Sequence, residues 1–261
     1  SDKMYDLFGG HKNFETNNIE QKQLDIAAST QKVFEYFVFK LINENIDKCY
    51  SKNLILAGGC ALNSLANGKL LKEFRDLNLF VPFSPGDSGG AIGSAIVSNI
   101  KNNKIIPENL QTPYLGGSYD NEYMKKCIHN LNLNKNFKVT HYENTNDLFS
   151  ATTDMLLLDK VGGWFQGRME FGPRALGNRS IIASPINPEM KNIINKKIKK
   201  RENFRPFAPS ILIDKKKEWF ETSKLNLYMS AVEYIIKDKQ KNVPAITHFD
   251  GTGRVQDVDE K

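Results

Sequence analysis

Arginine is unevenly distributed in this chain, and one segment holds three of the few arginines present. Gly167–Ser180 reads GRMEFGPRALGNRS, with Arg168, Arg174 and Arg179 but a single acid, Glu170. Its three glycines and one proline indicate a shaped loop. Guanidinium groups bind phosphate and carboxylate through paired hydrogen bonds, and a buried arginine needs an acid or an anionic ligand. We therefore predict an anion-binding active-site loop, with a structural cluster of salt bridges as the alternative.

A second basic segment, KKRENFRPFAPS, follows at Lys199–Ser210. Its cations Lys199, Arg201 and Arg205 alternate with phenylalanine and proline. Basic residues among aromatic ones are also typical of nucleic-acid surfaces, and the formal net charge of +6 is compatible with such a partner. The rigid, apolar Pro-Phe-Ala-Pro context favours a small-molecule pocket, so nucleic acid is the weaker hypothesis.

A third polar group lies in PAITHFDGTGRVQ, which contains His248, Asp250 and Arg254. An imidazole titrates near neutral pH, so His248 is a candidate general acid or base, or a hydrogen-bonding residue of a pocket. An ordinary hydrogen-bonded histidine is nearly as well supported by this pattern.

Two glycine-rich turns each follow a predicted strand and lead into a predicted helix. The first, AGGCALNSLANG, contains Gly58, Gly59 and Asn63. Glycines let the backbone approach a ligand closely, amides at a helix start face phosphates, and Asn63 is a candidate partner for a nucleotide or substrate. A purely structural turn is the alternative.

The second turn, SPGDSGGAIGSA, contains Gly86 and Asp87. Asp87 is placed either to cap the following helix or to ligate a metal beside a phosphate. Two such turns in succession predict a nucleotide-binding cleft of the kind found in actin-like ATPases.

The elements that must position these residues alternate between strand and helix. The predicted helices span residues 21–47, 61–71, 91–100 and 146–158, with another from Asn187-Pro188 carrying Met190, Ile194 and Ile198 on one stripe. The predicted strands span residues 53–57, 77–81, 137–142, 162–165 and 181–183. The helix at 21–47 is expected to face the core and the strand at 53–57 to be buried. This alternation predicts an α/β fold, with a domain boundary near residue 110.

Composition narrows the class of protein. The 261 residues are 40% hydrophobic and 25% charged, as in globular proteins, and no run approaches the roughly 20 apolar residues of a membrane helix. The first residues, SDKMYDLFGG, lack the apolar stretch of a signal peptide. The three scattered cysteines suit neither a disulfide framework nor a zinc site. We expect a cytoplasmic protein with no membrane partner.

In order along the chain, these segments resemble the carbamoyltransferase family that includes nodulation-factor, cephamycin and tobramycin carbamoyltransferases. The matching stretches are LAGGCALN, PGDSGGAIGSA, PYLGG, WFQGRMEFGPRALGNRSIIASP, NKKIKKRENFRPFAPS and PAITHFDGTGRVQ. The resemblance runs from about Asp6 to Val258 and covers nearly the whole chain. GRMEFGPRALGNRS and FRPFAPS are its most specific parts.

The resemblance implies two α/β parts. Residues 1–110 would be the C-terminal half of an actin-like ATPase domain similar to the threonylcarbamoyl transferases. Residues 111–261 would be a YrdC-like carbamoyltransferase C-terminal domain, incomplete at its end. The implied activity is conversion of carbamoyl phosphate and ATP to carbamoyl adenylate, followed by carbamoyl transfer to a hydroxyl of a small-molecule acceptor.

The resemblance also implies roles for individual residues. Asp87 would ligate a divalent metal (Fe, Mg, Mn or Zn) at the ATP site, and Gly58, Gly59, Gly86 and Asn63 would line the nucleotide or acceptor cleft. The implied catalytic set is Arg168, Arg174, Arg179, Lys199, Arg201, Arg205, His248 and Arg254. Most of its cations would hold carbamoyl phosphate and the ATP phosphates, while Arg174 and Arg179 would do the same or brace the loop through Glu170.

Two departures from the family pattern shape the expected form of the protein. No two of its four histidines have the HxxxH spacing that completes the family's metal site, and the sequence stops after RVQ, ahead of the NTSFN stretch. We therefore expect a truncated or internal piece that pairs with itself or with a separate N-terminal half, which would cover apolar surface left by a missing half-sheet. The alternatives are an RNA-binding or tRNA-modification module and a non-catalytic subunit.

Overall fold

Helices and short paired strands alternate in the computed structural model, which describes residues 3, 19–102, 112–222, 224 and 226–259. The first part contains α1 (Gln21–Ile46), β1 (Asn53–Ile55), α2 (Ser64–Glu73), β2 (Asn78–Phe80) and α3 (Gly89–Lys101). The second part contains α4 (Asn121–Asn130), α5 (Thr145–Leu157), β3 (Gly162–Phe165), β4 (Arg179–Ile182), α6 (Met190–Ile193), β5 (Ser210–Leu212), α7 (Lys216–Trp219), β6 (Glu233–Tyr234), α8 (Lys237–Gln240), β7 (Thr252–Gly253) and β8 (Gln256–Val258). The predicted α/β class is confirmed.

The described strands pair into four two-stranded sheets. β1–β2 and β5–β8 are parallel, whereas β3–β4 and β6–β7 are antiparallel. In the first sheet Asn53 faces Asn78 and Ile55 faces Phe80, so both strands end at the same edge. The glycine-rich turns that follow β1 and β2 therefore begin side by side.

Helix α1 forms at the predicted position, but its core-facing prediction is wrong for several residues. Leu24, Phe37 and Leu41 are 49%, 62% and 65% exposed. The buried residue of α1 is Glu35, which forms an ion pair with Lys69 of α2 at 2.8 Å. No helix among the described residues is long and apolar enough to cross a membrane.

An open apolar groove of about 550 Å³ separates α1 from the first sheet. Its apolar lining includes Phe34, Val38, Ile42, Leu54 and Leu70. The two-stranded β1–β2 sheet is too narrow to cover this side of α1. For the same reason β1 is not the buried strand that the sequence predicts, and Ile55 is 68% exposed.

The segment between α4 and α5 departs most from the prediction. Residues 137–142 form no strand, and the side chains of Phe137 and Val139 are exposed. A strand sequence gains stability by packing its alternate side chains against neighbours, and this segment has no partner strand among the described residues. Helix α4 was not predicted, although Asp120 caps it by accepting a hydrogen bond from the Tyr123 amide at 2.7 Å.

Two small cores lie in the second part. Phe220, Ile235, Val243 and Val255 form one core, and Met190, Ile194 and Ala245 form the other, with Phe207 packed against it. Ile198 was predicted to continue the Met190–Ile194 stripe but is 44% exposed. The helix changes to π-helical geometry over Ile194–Lys199, and the wider turn rotates Ile198 away from the core.

Among the segments of the second part that contact the first part is Asn226–Val232, which we call the strap. The Val232 amide donates to the Ser64 carbonyl at 2.9 Å, and the Asn67 side-chain amide donates to the Ser230 carbonyl at 2.7 Å. Gly68 of α2 lies so close that an added Cβ would be 2.3 Å from the Val232 oxygen. The predicted boundary near residue 110 lies outside the described residues and stays a prediction.

Candidate anion-binding site

The arginine loop, Gly167–Ser180, is organised around the carboxylate of Glu170. This side chain is buried, and its Oε1 accepts hydrogen bonds from the amides of Leu176 (2.7 Å), Asn178 (2.8 Å) and Arg179 (3.2 Å). Burial raises the pKa of Glu170, but its backbone hydrogen bonds outweigh this effect and hold the pKa below its ordinary value. Glu170 therefore braces the loop through the backbone and forms no ion pair with the described arginines.

Two further side chains fix the middle of the loop. The Leu176 carbonyl accepts hydrogen bonds from the Tyr114 hydroxyl at 2.9 Å and from Gln256 Nε2 at 2.8 Å. Leu176 itself is buried. Segments distant in the chain therefore anchor the middle of the loop through its backbone.

Three predicted cations meet in the second part of the molecule: Arg174, Arg201 and Arg254. We call them the arginine cluster. Burial, together with the charges of Arg174 and Arg201, lowers the pKa of Arg254 to about 10. Burial also lowers the pKa of Arg174. The Nε atoms of Arg174 and Arg254 are buried without a hydrogen-bond partner among the described residues.

Arg201 is held in place by Asn195, a residue that the sequence analysis missed. Arg201 Nε donates to Asn195 Oδ1 at 2.7 Å, and the guanidinium lies 5.0 Å from the centre of the Phe207 ring. Asn195 is fully buried in the π-helical turn, and its Nδ2 donates to the Arg205 carbonyl at 2.9 Å. An asparagine beside Ile194 on an apolar stripe was the one available signal.

His248 lies near the cluster and is linked to a short polar chain. Its Nδ1 is 3.0 Å from Thr252 Oγ1, which donates to Asp250 Oδ1 at 2.7 Å. Burial lowers the pKa of His248; Asp250 opposes this shift, whereas Arg254 and Lys191 add to it. The sequence analysis did not identify Thr252 or Lys191.

The other four predicted catalytic residues are exposed. Arg168 donates to the Leu115 carbonyl at 3.3 Å, and Arg205 pairs with Glu202 at 2.7 Å. Arg179 lies at the start of β4 and Lys199 at the end of the π-helical turn. The structure therefore brings together Arg174, Arg201, Arg254 and His248, and it leaves these four at the surface.

The two glycine-rich turns are in direct contact. The Gly58 amide donates to the Pro85 carbonyl at 2.7 Å, and an added Cβ on Gly86 would lie 3.9 Å from the Gly59 Cα. Gly58 has a φ of +88°, a conformation that favours glycine. This contact brings the two turns together at the ends of β1 and β2, where the cleft is predicted.

The side chains of Asn63 and Asp87 differ in the hydrogen bonds that they form. Asn63 caps α2 by accepting from the Ala66 amide at 3.1 Å and donates to Gln31 Oε1 at 2.8 Å. Asp87 is exposed, and its side chain forms no hydrogen bond within the described part of the chain; its carbonyl accepts from the Gly90 amide at 2.9 Å. No side-chain hydrogen bond caps α3. Among the described residues, no three His, Cys, Asp or Glu side chains cluster as a metal site requires.

The arginine loop packs directly on the second glycine-rich turn. Gly172 has a φ of +118°, and an added Cβ would lie only 2.7 Å from the Phe83 carbonyl oxygen. The rings of Phe83 and Tyr228 meet edge to face with their centres 5.7 Å apart. The arginine loop and the predicted nucleotide cleft are thus neighbouring parts of the molecule.

Models of known families match the parts of the chain that contain the glycine-rich turns and the arginine cluster. The model described as Carbamoyltransferase N-terminus matches residues 1–96, and the model described as Carbamoyltransferase C-terminus matches residues 153–261. The chain belongs to the carbamoyltransferase family. The family's N-terminal match includes both glycine-rich turns, and its C-terminal match includes the arginine loop, the arginine cluster and His248.

Individual relatives support the same assignment. An uncharacterised protein of Synechocystis is 38% identical over 98% of this chain and 45% of its own length. Nodulation protein NolO of Bradyrhizobium diazoefficiens is 36% identical over 92% of this chain and 44% of its own length. Nodulation protein U of Azorhizobium caulinodans is 32% identical over 90% of this chain and 40% of its own length. The chain spans less than half the length of these relatives.

Proposed function

We propose that this chain forms part of an ATP-dependent O-carbamoyltransferase. In this proposal the second part converts carbamoyl phosphate and ATP to carbamoyl adenylate. Water first splits carbamoyl phosphate into carbamate and inorganic phosphate, and a carbamate oxygen then attacks the α-phosphorus of ATP and displaces pyrophosphate. The carbamoyl group then passes to a hydroxyl of a small-molecule acceptor. Family membership supports carbamoyl transfer in general, and the adenylate route rests on the resemblance noted from the sequence.

The arginine cluster is the observation that carries the proposal. No acidic side chain among the described residues forms an ion pair with Arg174, Arg201 or Arg254. Half-buried cations without paired acids cost free energy, and a polyanion bound between them offsets the desolvation penalty and the mutual repulsion. The same fixed charges would stabilise negative charge that develops as pyrophosphate leaves.

The adjacent glycine-rich turns support a nucleotide or acceptor cleft next to this cluster. We propose that residues 1–110 form half of an actin-like domain and that residues 111–261 form a YrdC-like domain, as the resemblance implies. Contact between Gly172 and the Phe83 carbonyl would place carbamoyl activation beside carbamoyl transfer. A homodimer, or pairing with a separate N-terminal half, would complete the actin-like part.

A divalent metal remains a prediction of the resemblance. Asp87 would supply one oxygen ligand, but a single exposed carboxylate does not make a metal site. Within the described residues the fit is therefore incomplete. The proposal assigns no chemical step to a metal.

Calorimetric titration of Arg254→Gln tests the arginine cluster. At 10 °C, where acyl phosphates hydrolyse slowly, the wild-type chain is expected to bind carbamoyl phosphate and ATP. Because charged hydrogen bonds contribute about 1.5–3 kcal/mol each, Arg254→Gln should weaken carbamoyl phosphate binding by about ten- to a hundredfold. Removal of a buried unpaired charge should leave the ligand-free variant as stable as the wild type, or more stable.

Arg75→Gln is the matched control, because Arg75 is exposed and lies outside the cluster. It should bind both ligands like the wild type. Failure of the wild type to bind either ligand, or unchanged affinity in Arg254→Gln, would contradict the proposal.

A further inference from the structure

A site built from arginines satisfies only part of carbamoyl phosphate. The phosphate and carbonyl oxygens accept hydrogen bonds, and guanidinium groups supply donors for them. The carbamoyl NH₂ group, in contrast, donates two hydrogen bonds and needs an acceptor. Acetyl phosphate has a methyl group of similar size at this position and needs none. A site selective for the carbamoyl compound must therefore contain an acceptor among its cations.

Hydrogen bonds around Thr252 determine which nitrogen of His248 carries the proton. Asp250 Oδ1 is an acceptor, so the single hydroxyl hydrogen of Thr252 is donated to it at 2.7 Å. Asp250 also accepts from the Thr252 amide at 3.1 Å, which fixes this orientation. Thr252 Oγ1 must then accept from His248, so Nδ1 carries the hydrogen at 3.0 Å. In the neutral ring this leaves a lone pair on Nε2.

The Nε2 atom of His248 is buried and has no partner among the described residues. It occupies the ring edge away from Thr252, while the charges of Arg254 and Lys191 act on the same imidazole. Burial and these two cations hold the pKa of His248 below its ordinary value, so the ring stays neutral and Nε2 stays an acceptor. An unused acceptor thus lies near Arg254, which in turn lies near Arg174, and the Nε donors of both arginines are also unused.

Some buried carboxylate oxygens among the described residues also lack a partner, but they belong to acids that are already bound to other parts of the molecule. Glu170 holds the backbone of the arginine loop through its Oε1. Glu233 and Asp257 both bind the buried ammonium of Lys216, at 2.9 and 2.8 Å. None of these acids acts on the pKa of Arg174 or Arg254. His248 is therefore the acceptor that the described structure associates with the cluster.

We propose that Nε2 of His248 accepts a hydrogen bond from the carbamoyl NH₂ group, and that the Asp250–Thr252–His248 chain makes the site selective for carbamoyl phosphate over acetyl phosphate. This inference rests on the proposed function. His248 is the contact residue, and Thr252 is a positioning residue that acts through the tautomer of the ring. The arginine cluster supplies affinity for the phosphate that both compounds share.

Titration at 10 °C with carbamoyl phosphate, acetyl phosphate and inorganic phosphate tests this division of roles. The wild type should prefer carbamoyl phosphate to acetyl phosphate by about tenfold or more, because one hydrogen bond is worth about 1 kcal/mol and an unpaired buried acceptor costs more. Thr252→Val and His248→Leu should lose the preference and keep their affinity for inorganic phosphate, which also reports that the site is folded.

Conservative variants separate recognition from a general structural effect. Thr252→Ser keeps the hydroxyl and should keep the preference, and His248→Gln should recover part of it because an amide oxygen can replace Nε2. Thr247→Val makes the same exchange at a hydroxyl that donates to the Val243 carbonyl at 2.9 Å, and it should behave like the wild type.

The outcomes distinguish the inference from the proposed function. If the wild type binds all three anions but does not prefer carbamoyl phosphate, the inference is overturned while the anion site stands. The inference is also overturned if Thr252→Val and His248→Leu retain the preference. If none of the three anions binds to the wild type, the proposed function fails together with the inference.

Discussion

Unpaired polar atoms are concentrated at a few buried residues of this molecule. Arg174 and Arg254 bury donors, and His248 buries an acceptor, without a partner in the described residues. Most buried polar groups in native proteins are hydrogen-bonded, so such exceptions call for an explanation. Glu170 is different, because its Oε1 is fully used by the loop backbone. Glu170 Oε2 also lacks a partner among the described residues, but the carboxylate already shapes the loop, whereas the unused atoms of Arg174, Arg254 and His248 have no structural role of this kind.

The loop backbone should depend on the Glu170 carboxylate. Glu170→Ala would leave the amides of Leu176 and Asn178 without their acceptor and should lower the free energy of unfolding by about 2–4 kcal/mol. Glu170→Gln retains an acceptor oxygen and should cost less. Urea denaturation at pH 7 measures both. Equal stability of the wild type and Glu170→Ala would refute this role, and Glu202→Gln provides a comparison at an exposed acid.

At the scale of elements, the site is made by contacts between segments that are distant in the chain. The arginine loop rests on the turn after β2, and the π-helical turn brings Arg201 over Phe207. Neither contact involves a long regular element. The helices and strands mainly fix the ends of these segments, and the loop conformations complete the site.

A pair of glycine substitutions isolates the contact between the loop and the turn. Gly172 and Gly177 both have positive φ, +118° and +107°, so alanine strains both positions. An added Cβ clashes with the Phe83 carbonyl only at Gly172 and meets nothing within 4 Å at Gly177. We expect Gly172→Ala to be more destabilising than Gly177→Ala by about 1–3 kcal/mol, measured by thermal or urea unfolding. Equal losses would show that the loop and the turn do not pack tightly.

Local patterns in the sequence predicted the longer helices and the residue types of the site. Helices α1 and α5 and strand β3 lie where periodicity placed them, because these signals are carried by neighbouring residues. The sequence could not show that residues 137–142 would remain unpaired, since pairing depends on a distant strand. Nor could the sequence show which four of the eight predicted catalytic residues would cluster and which four would be exposed. Asn195 bonds Arg201 and the Arg205 carbonyl, and Thr252 bonds His248 and Asp250. These partners are close in sequence, but the irregular backbone between them follows no periodic pattern.

At the scale of the whole molecule, a buried ionic group holds the strap in place. Lys216 pairs with Glu233 at 2.9 Å and with Asp257 at 2.8 Å, and it also donates to the Lys224 carbonyl. The Asn226 amide donates to Asp257 Oδ2 at 2.7 Å. One ammonium thus faces two carboxylates. The pKa of Glu233 is raised from 4.5 to about 7, and burial is the main cause. This value includes the charge of Lys216, which lowers the pKa, and that of Asp257, which raises it.

This raised pKa predicts a pH-dependent stability. Between pH 4.5 and about 7 the folded chain keeps a proton on Glu233 that the unfolded chain releases, so the stabilisation present at low pH is lost as pH rises through this window. Relative to Glu233→Gln, which cannot titrate, wild-type stability should decline across the window and then level off. Urea denaturation at a series of pH values measures this difference.

Glu221→Gln is the control for this experiment, because Glu221 is exposed and lies close in sequence. Its stability should follow the wild-type curve across the same range of pH. Parallel curves for the wild type and Glu233→Gln would contradict a raised pKa for Glu233.

The strap also has a consequence for the order of folding during synthesis. Asn67 is buried in α2, and one of the carbonyls that its amide satisfies belongs to Ser230, 163 residues later in the chain. Until the ribosome has released that segment, the first part lacks both this partner and the Val232 contact. Because domains often fold as they emerge, an early fold of the first part would be incomplete here. We expect its final amide-exchange protection to arise only after the strap has docked.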